Sequence, residues 1–179
     1  MPENIPMSKR KIDPAASVQR FRRLVTGLDE RGRSTFLSDE LCPHMQVVAD
    51  TPTFVATDFW RHENVPVDNS GPMDDGVMDQ VSISPPATGS VCRVVEFPPD
   101  SHWDDGGEIR SRMFHSTASL DYVVVLRGEI WAVLDAAERK MTAGDVLIQR
   151  GTNHSWSNRS ESSCVVLFVL IGGTAVRPC

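Results

Sequence analysis

The feature that most constrains the fold is the rhythm of the last third of the chain. From residue 113 to residue 172, short apolar runs rich in β-branched residues alternate with polar turns. "LDYVVVLRGEIWAVLD" reads as two strands about a turn at Arg127-Gly128-Glu129. "AAERKMTAGD" makes another turn, and "VLIQ", "HSWSN" and "CVVLFVLIG" complete the series. Turn signals return every 8–15 residues, roughly the spacing of a sandwich or barrel rather than a parallel α/β sheet. No heptad pattern and no repeat of fixed period competes with this reading.

The upstream half is less regular. Turn signals fall near Gly27 and Gly32, and strands are expected over residues 34–37, 53–60 and 91–97, the last stopped by Pro98-Pro99. Residues 61–90 are dense in Pro, Gly, Asp, Asn and Ser, which predicts a long loop of the kind that forms lids or rims. "DSHWDDGGEIRSR" is a second polar loop. Residues 1–30 read as an N-terminal arm, partly disordered or dimerising, and residues 31–179 as one β-barrel domain. Residues 14–24 are the one stretch with a helical pattern, and a short one.

The 179 residues suffice for one domain with a core. A net charge of −6 and a pI near 5.3 argue against nucleic acid or an anionic membrane as the main partner. No apolar run approaches the ~20 residues of a membrane span. The first 20 residues lack the apolar stretch of a signal peptide, so a cytoplasmic protein is expected. The cysteines, Cys42, Cys92, Cys164 and Cys179, form no C-x-x-C pair. Cys92 and Cys164 lie in apolar runs, where a buried thiol is the simplest reading.

Histidines are few, so candidates for chemistry are few. His44 and His62 lie in polar or Pro-flanked segments and read as surface or packing residues; His102 sits in an Asp-rich loop. His115 and His154 stand beside strands. Residues two apart in a strand share a face, so His115 and Thr117 can point into one cavity, as can His154 and Trp156. Asp121 shares a face with Val123 and Val125, and a carboxylate on an apolar face needs a partner or a function. Gln149 ends the strand before His154. Arg93, within "VCRVVEF", is either a buried cation able to hold a carboxylate or a solvated edge residue, depending on which parity faces inward.

These residues resemble the two motifs of the cupin superfamily, G-x5-H-x-H-x3-4-E-x6-G and G-x5-P-x-G-x2-H-x3-N. Here the first reads His115-Ser-Thr117-x3-Asp121-x6-Gly128, and the second runs from Gly144 through Gly151 and His154 to Asn158. The resemblance implies an all-β jelly roll, the double-stranded β-helix barrel, with an N-terminal extension and a homodimeric assembly. The match departs from the pattern in five places. Thr117 replaces a histidine, Asp121 replaces a glutamate, the proline of the second motif is absent, the loop before His154 is one residue shorter, and Ile109 stands where the first motif begins with glycine.

In metal-binding cupins the motif histidines and glutamate hold the metal. By that resemblance His115, Asp121 and His154 are the remaining candidate ligands for Fe, Mn, Zn or Ni, Thr being a poor ligand. The alternative is no metal, with the same three residues as an acid–base set. The leading expectation is then a lyase or isomerase: dehydration, decarboxylation or proton transfer on an oxygenated, polyketide-like substrate. His115, Asp121 and His154 would be catalytic, and Thr117, Gln149, Trp156 and Arg93 substrate-binding. The alternatives are an Fe-dependent dioxygenase with a 2-His-1-carboxylate site and a non-catalytic small-molecule-binding barrel. In each case the partner is a small molecule, with no nucleic acid and no membrane.

Overall fold

The structure, a computed structural model, describes residues 12–103, 111 and 113–177. Among the described residues eleven strands are formed: β1 (Arg22–Leu28), β2 (Ser34–Leu41), β3 (Met45–Val48), β4 (Thr51–His62), β5 (Ser90–Phe97), β6 (Ser119–Arg127), β7 (Glu129–Leu134), β8 (Glu138–Thr142), β9 (Val146–Gln149), β10 (His154–Ser157) and β11 (Cys164–Gly172). A 3-10 turn at Asp100–His102 follows β5. A six-stranded sheet runs β3-β4-β5-β11-β6-β9 and a three-stranded sheet runs β10-β7-β8. Every strand pairing is antiparallel. The two sheets close on one apolar core, to which the large sheet contributes Val91, Val123 and Phe168 and the small sheet Ile130, Met141 and Trp156. This is the expected all-β jelly roll.

Local sequence explains the strands that carry the site. β11 lies between β5 and β6 and is apolar along its whole length, as a central strand must be. β6 alternates, with Ser119, Asp121, Val123 and Val125 inward and Tyr122 and Leu126 exposed. Gly128, at φ +79°, makes the turn into β7. Residues 63–89 contain no strand and form the long loop expected there. Among the described residues no helix is long and apolar enough to cross a membrane.

Four expectations about local structure are corrected. Residues 14–24 form no helix: a turn precedes β1, Ala15 N–H donates to Pro52 O, and Val18 packs on Val47 and Val55. Tertiary packing on the outside of the large sheet overrides a weak helical preference. "AAERKMTAGD" contains a strand, β8, at the edge of the small sheet, where Met141 alone needs to be buried. β2 extends to Leu41, well past residue 37, and pairs with β1 as a ribbon that spans residue 30. Gly27 lies within β1, where a Cβ would overlap the Leu37 side chain. The first 11 residues of the expected arm lie outside the described residues, as does Cys179.

Candidate functional site

The two motif histidines meet through the backbone. His115 N–H donates to His154 O at 3.0 Å, and His154 N–H donates to His115 O at 2.9 Å. A mutual pair of this kind places two side chains next to each other on one face. The ring centroids are 4.3 Å apart, with 52° between the planes. Gly151, three residues before His154, adopts φ +70°, and a Cβ there would overlap the carbonyl of Thr117. The motif glycine thus lets the loop before β10 lie against the strand that leads into β6.

Each imidazole is also fixed in tautomer. His115 Nδ1 lies 2.8 Å from Met113 O and His154 Nδ1 lies 2.8 Å from Thr152 O. A carbonyl can only accept, so both Nδ1 atoms carry hydrogen and both Nε2 atoms hold a bare lone pair in the neutral ring. Burial lowers the pKa of both rings. That of His154 falls to about 4, through burial first and the neighbouring His115 second. The pair is uncharged at neutral pH.

Both rings line a cavity of about 90 Å³. Trp156 lies edge-on to His154, with ring centroids 5.8 Å apart, and to Phe168. Most of the lining is apolar, and Phe54, Met113 and Leu170 belong to it. Asp121 lines the same cavity, is 3% exposed, and leaves Oδ1 without a hydrogen-bond partner. Burial pushes its pKa up to about 6 against the opposing pull of a hydrogen bond from Ser119. Ser119 Oγ is in turn 2.7 Å from Thr117 Oγ1. Thr117, Ser119 and Asp121 therefore form a polar row along one face of the strand, ending at the unpaired carboxyl oxygen.

Arg93 resolves the open question of parity. It faces the cavity, but Nε and Nη2 bind Asp58 at 2.5 and 2.8 Å, and Nη1 donates to Ser82 O at 2.9 Å. The expected substrate-binding residues therefore separate. Thr117 and Trp156 line the cavity, and Arg93 lines it with its donors already engaged. Gln149 is not in the lining; its Oε1 accepts from Thr152 N–H and Oγ1–H and holds the turn before β10. His44 accompanies Arg23 on Asp75, away from the cavity. Ser119 was not anticipated as a site residue, although its place two residues from both Thr117 and Asp121 marks it. Val81 and Ile83, from the long loop, were not anticipated either; their signal is the alternation "VSIS" within an otherwise polar segment.

The fold implies a metal, and the donor set fits one incompletely. Two imidazoles stand side by side, but among the described residues no group of three or more His, Cys, Asp or Glu is placed to hold a metal ion. Asp121 shares the cavity without completing a three-donor set, consistent with the shorter reach of aspartate where the motif has glutamate.

Comparison with known proteins shows what the chain is similar to. It is 31% identical over 149 residues to a cupin-domain-containing oxidoreductase of Hypocrea virens, covering 81% of this chain and 71% of that protein. It is 34% identical over 165 residues to phomopsin biosynthesis cluster protein C' of Diaporthe leptostromiformis, covering 88% and 80%. It is 31% identical over 166 residues to a cupin-domain-containing oxidoreductase of Aspergillus ruber, covering 88% and 75%. No protein-family model matches the chain. The relatives whose names carry an activity are oxidoreductases, which overturns the lyase or isomerase expectation. That expectation rested on the acid–base character of two histidines and a carboxylate, and such a set can equally move the protons of an oxidation whose electrons go to another acceptor.

Proposed function

The chain belongs to the cupin superfamily, and from that premise we propose that it is an oxidoreductase of secondary metabolism acting on a small organic molecule in the cavity between the two sheets. The observation that carries this reading is the pair of neutral imidazoles whose Nε2 lone pairs serve an apolar cavity beside the unpaired Oδ1 of Asp121. In this reading His115 and His154 accept a hydrogen bond or a proton from the substrate, while its two electrons pass to a separate two-electron acceptor that enters as a co-substrate, such as dioxygen leaving as hydrogen peroxide. Asp121 supplies a second acid–base group held at a different protonation point. Burial keeps His154 free of a proton at neutral pH and raises Asp121 toward it, so the two groups are poised for opposite roles. No step is assigned to a metal, because the donor set is incomplete among the described residues.

The test does not require the substrate in advance. Metabolites of producing cells are compared, by high-resolution mass spectrometry, between the native protein and its His154→Ala variant. The expected result is loss of one product and accumulation of a precursor that differs from it by two hydrogen atoms or by oxygen. A precursor of the same mass as the product, or one differing only by water or carbon dioxide, would overturn the oxidoreductase reading.

A further inference from the structure

We infer that residues 78–84 form a strap that walls the cavity and determines its specificity, that Arg93 is a latch for this strap rather than a receptor for an anionic group, and that the cavity therefore takes an uncharged, mostly apolar molecule. The inference deepens the reading of this cavity as the substrate site and is independent of the redox chemistry.

Three observations converge. Most of the lining stands on paired strands, but Val81 and Ile83 come from a segment with no strand ladder. That segment is tied down by two side chains. Gln46 Oε1 accepts from Val81 N–H at 2.6 Å while its Nε2 donates to Met78 O at 3.1 Å, and Arg93 Nη1 donates to Ser82 O. The cavity, at about 90 Å³, is smaller than the roughly 300–1,000 Å³ of ordinary ligand sites. A larger occupant must displace a wall, and a wall held by three hydrogen bonds yields before one held by a β ladder.

Charge then selects the occupant. Arg93 is the one Lys or Arg among the described lining residues, and Asp58 neutralises it through two short bonds. An incoming carboxylate would have to displace Asp58 from those donors and would itself be desolvated in an apolar cavity with no free cation among the described lining residues. Of the remaining polar groups among the described lining residues, the Thr117 hydroxyl is engaged with Ser119, and the two Nε2 lone pairs and the Asp121 carboxyl oxygen accept hydrogen bonds. They favour a neutral molecule with an N–H or O–H and oppose an anion.

Binding of two isosteric probes, 4-propylbenzamide and 4-propylbenzoate, tests this at pH 8 by calorimetry and ligand-observed NMR, with no turnover needed. A failure of the redox reading therefore leaves this test intact. The amide is expected to bind, and the benzoate to bind at least about tenfold more weakly, the equivalent of ~1.4 kcal/mol. Val81→Trp is expected to abolish amide binding while the far-ultraviolet spectrum is unchanged. Gln46→Ala is expected to speed both association and dissociation of the amide. Val81→Ala, a milder change should the tryptophan variant not fold, is expected to admit 4-butylbenzamide more readily than the native protein does. A benzoate that binds as tightly as the amide and loses that affinity in Arg93→Met would make Arg93 an anion receptor and overturn the inference. So would unchanged amide kinetics in the Gln46 and Val81 variants, or failure of the native protein to bind either probe.

Discussion

The two walls of the cavity treat buried charge in opposite ways. On the β4–β5 wall, Asp58 and Arg93 satisfy each other through two bonds, and the third arm of the guanidinium closes on Ser82. On the wall made by β6 and β10, His115 and His154 keep their Nε2 atoms open, and Asp121 has an oxygen with no partner. A satisfied buried pair is built for position, whereas an unsatisfied carboxylate carries a desolvation cost that a purely structural site would shed. Under the proposed function, the first wall serves architecture and the second chemistry, although both carry ionisable residues at similar depth.

The comparison breaks most visibly at Asp58. Asp58→Ala strands the Arg93 guanidinium, 6% exposed, without its counter-charge. The expected loss is about 3–5 kcal/mol of unfolding free energy in urea titration, the range for breaking one side of a buried pair. The double replacement Asp58→Leu with Arg93→Met removes both charges and is expected to recover most of that loss. A single variant as stable as the native protein would show that the β4–β5 wall is not held by this pair. On the other wall the order of effects reverses. His154→Ala is expected to lower turnover by about 10² to 10⁴-fold, the usual weight of a positioned acid–base group, while leaving the fold in place. If instead it unfolds the protein and a His154→Gln variant remains active, the division between the walls fails.

The sequence showed one of these walls far better than the other. The strands of the last third were legible because each is short, β-branched and bounded by turn residues, and "CVVLFVLIG" became the central strand β11. His115, Asp121 and His154 were legible because motif spacing and strand parity both put them inside. The β4–β5 wall was opaque. β5 is buried on both faces, with Val94 and Glu96 covered as well as Arg93 and Val95, so no alternation revealed which parity met the cavity. The partner of Arg93 lies 35 residues away on the neighbouring strand, a distance only the register of β4 on β5 defines. β8 was missed because an edge strand with one inward residue has the composition of a loop. The helix expected over residues 14–24 gave way because Val18 is worth more on the outside of the sheet than on the face of an isolated turn.

Protonation sharpens the contrast with a smaller effect. The raised pKa of Asp121 means that the folded state binds a proton more tightly than the unfolded state between about 3.8 and about 6. Its contribution is fully present below the unfolded value and is lost as pH rises through about 6, when a charge must be held in the apolar cavity. His154 runs the other way. Its pKa is lowered to about 4, so the unfolded state takes up protons first and stability falls as pH drops from 6.5 toward 4. Asp121→Asn is therefore expected to gain about 1–2 kcal/mol relative to the native protein at pH 8 and to lose that advantage near pH 4, in urea titrations at both pH values. A pH-independent difference would mean that the carboxyl titrates alike in both states and that its burial is not what distinguishes this wall.

The smallest expected effect is at Ser119, and it separates the carboxyl from its support. Ser119 donates to Asp121 and is 2.7 Å from Thr117 Oγ1, so its hydroxyl is the one polar link between the two. The hydrogen bond lowers the carboxyl pKa against the larger effect of burial. Removing it in Ser119→Ala should raise that pKa further, with a stability cost of about 1 kcal/mol, that of one buried hydrogen bond. Infrared titration of the protonated carboxyl, as a difference against Asp121→Asn, reads the pKa directly. Ser119→Thr, which keeps the hydroxyl, should restore it. An unchanged titration in Ser119→Ala would show that the serine only fills space. The open wall would then owe its chemistry to burial alone.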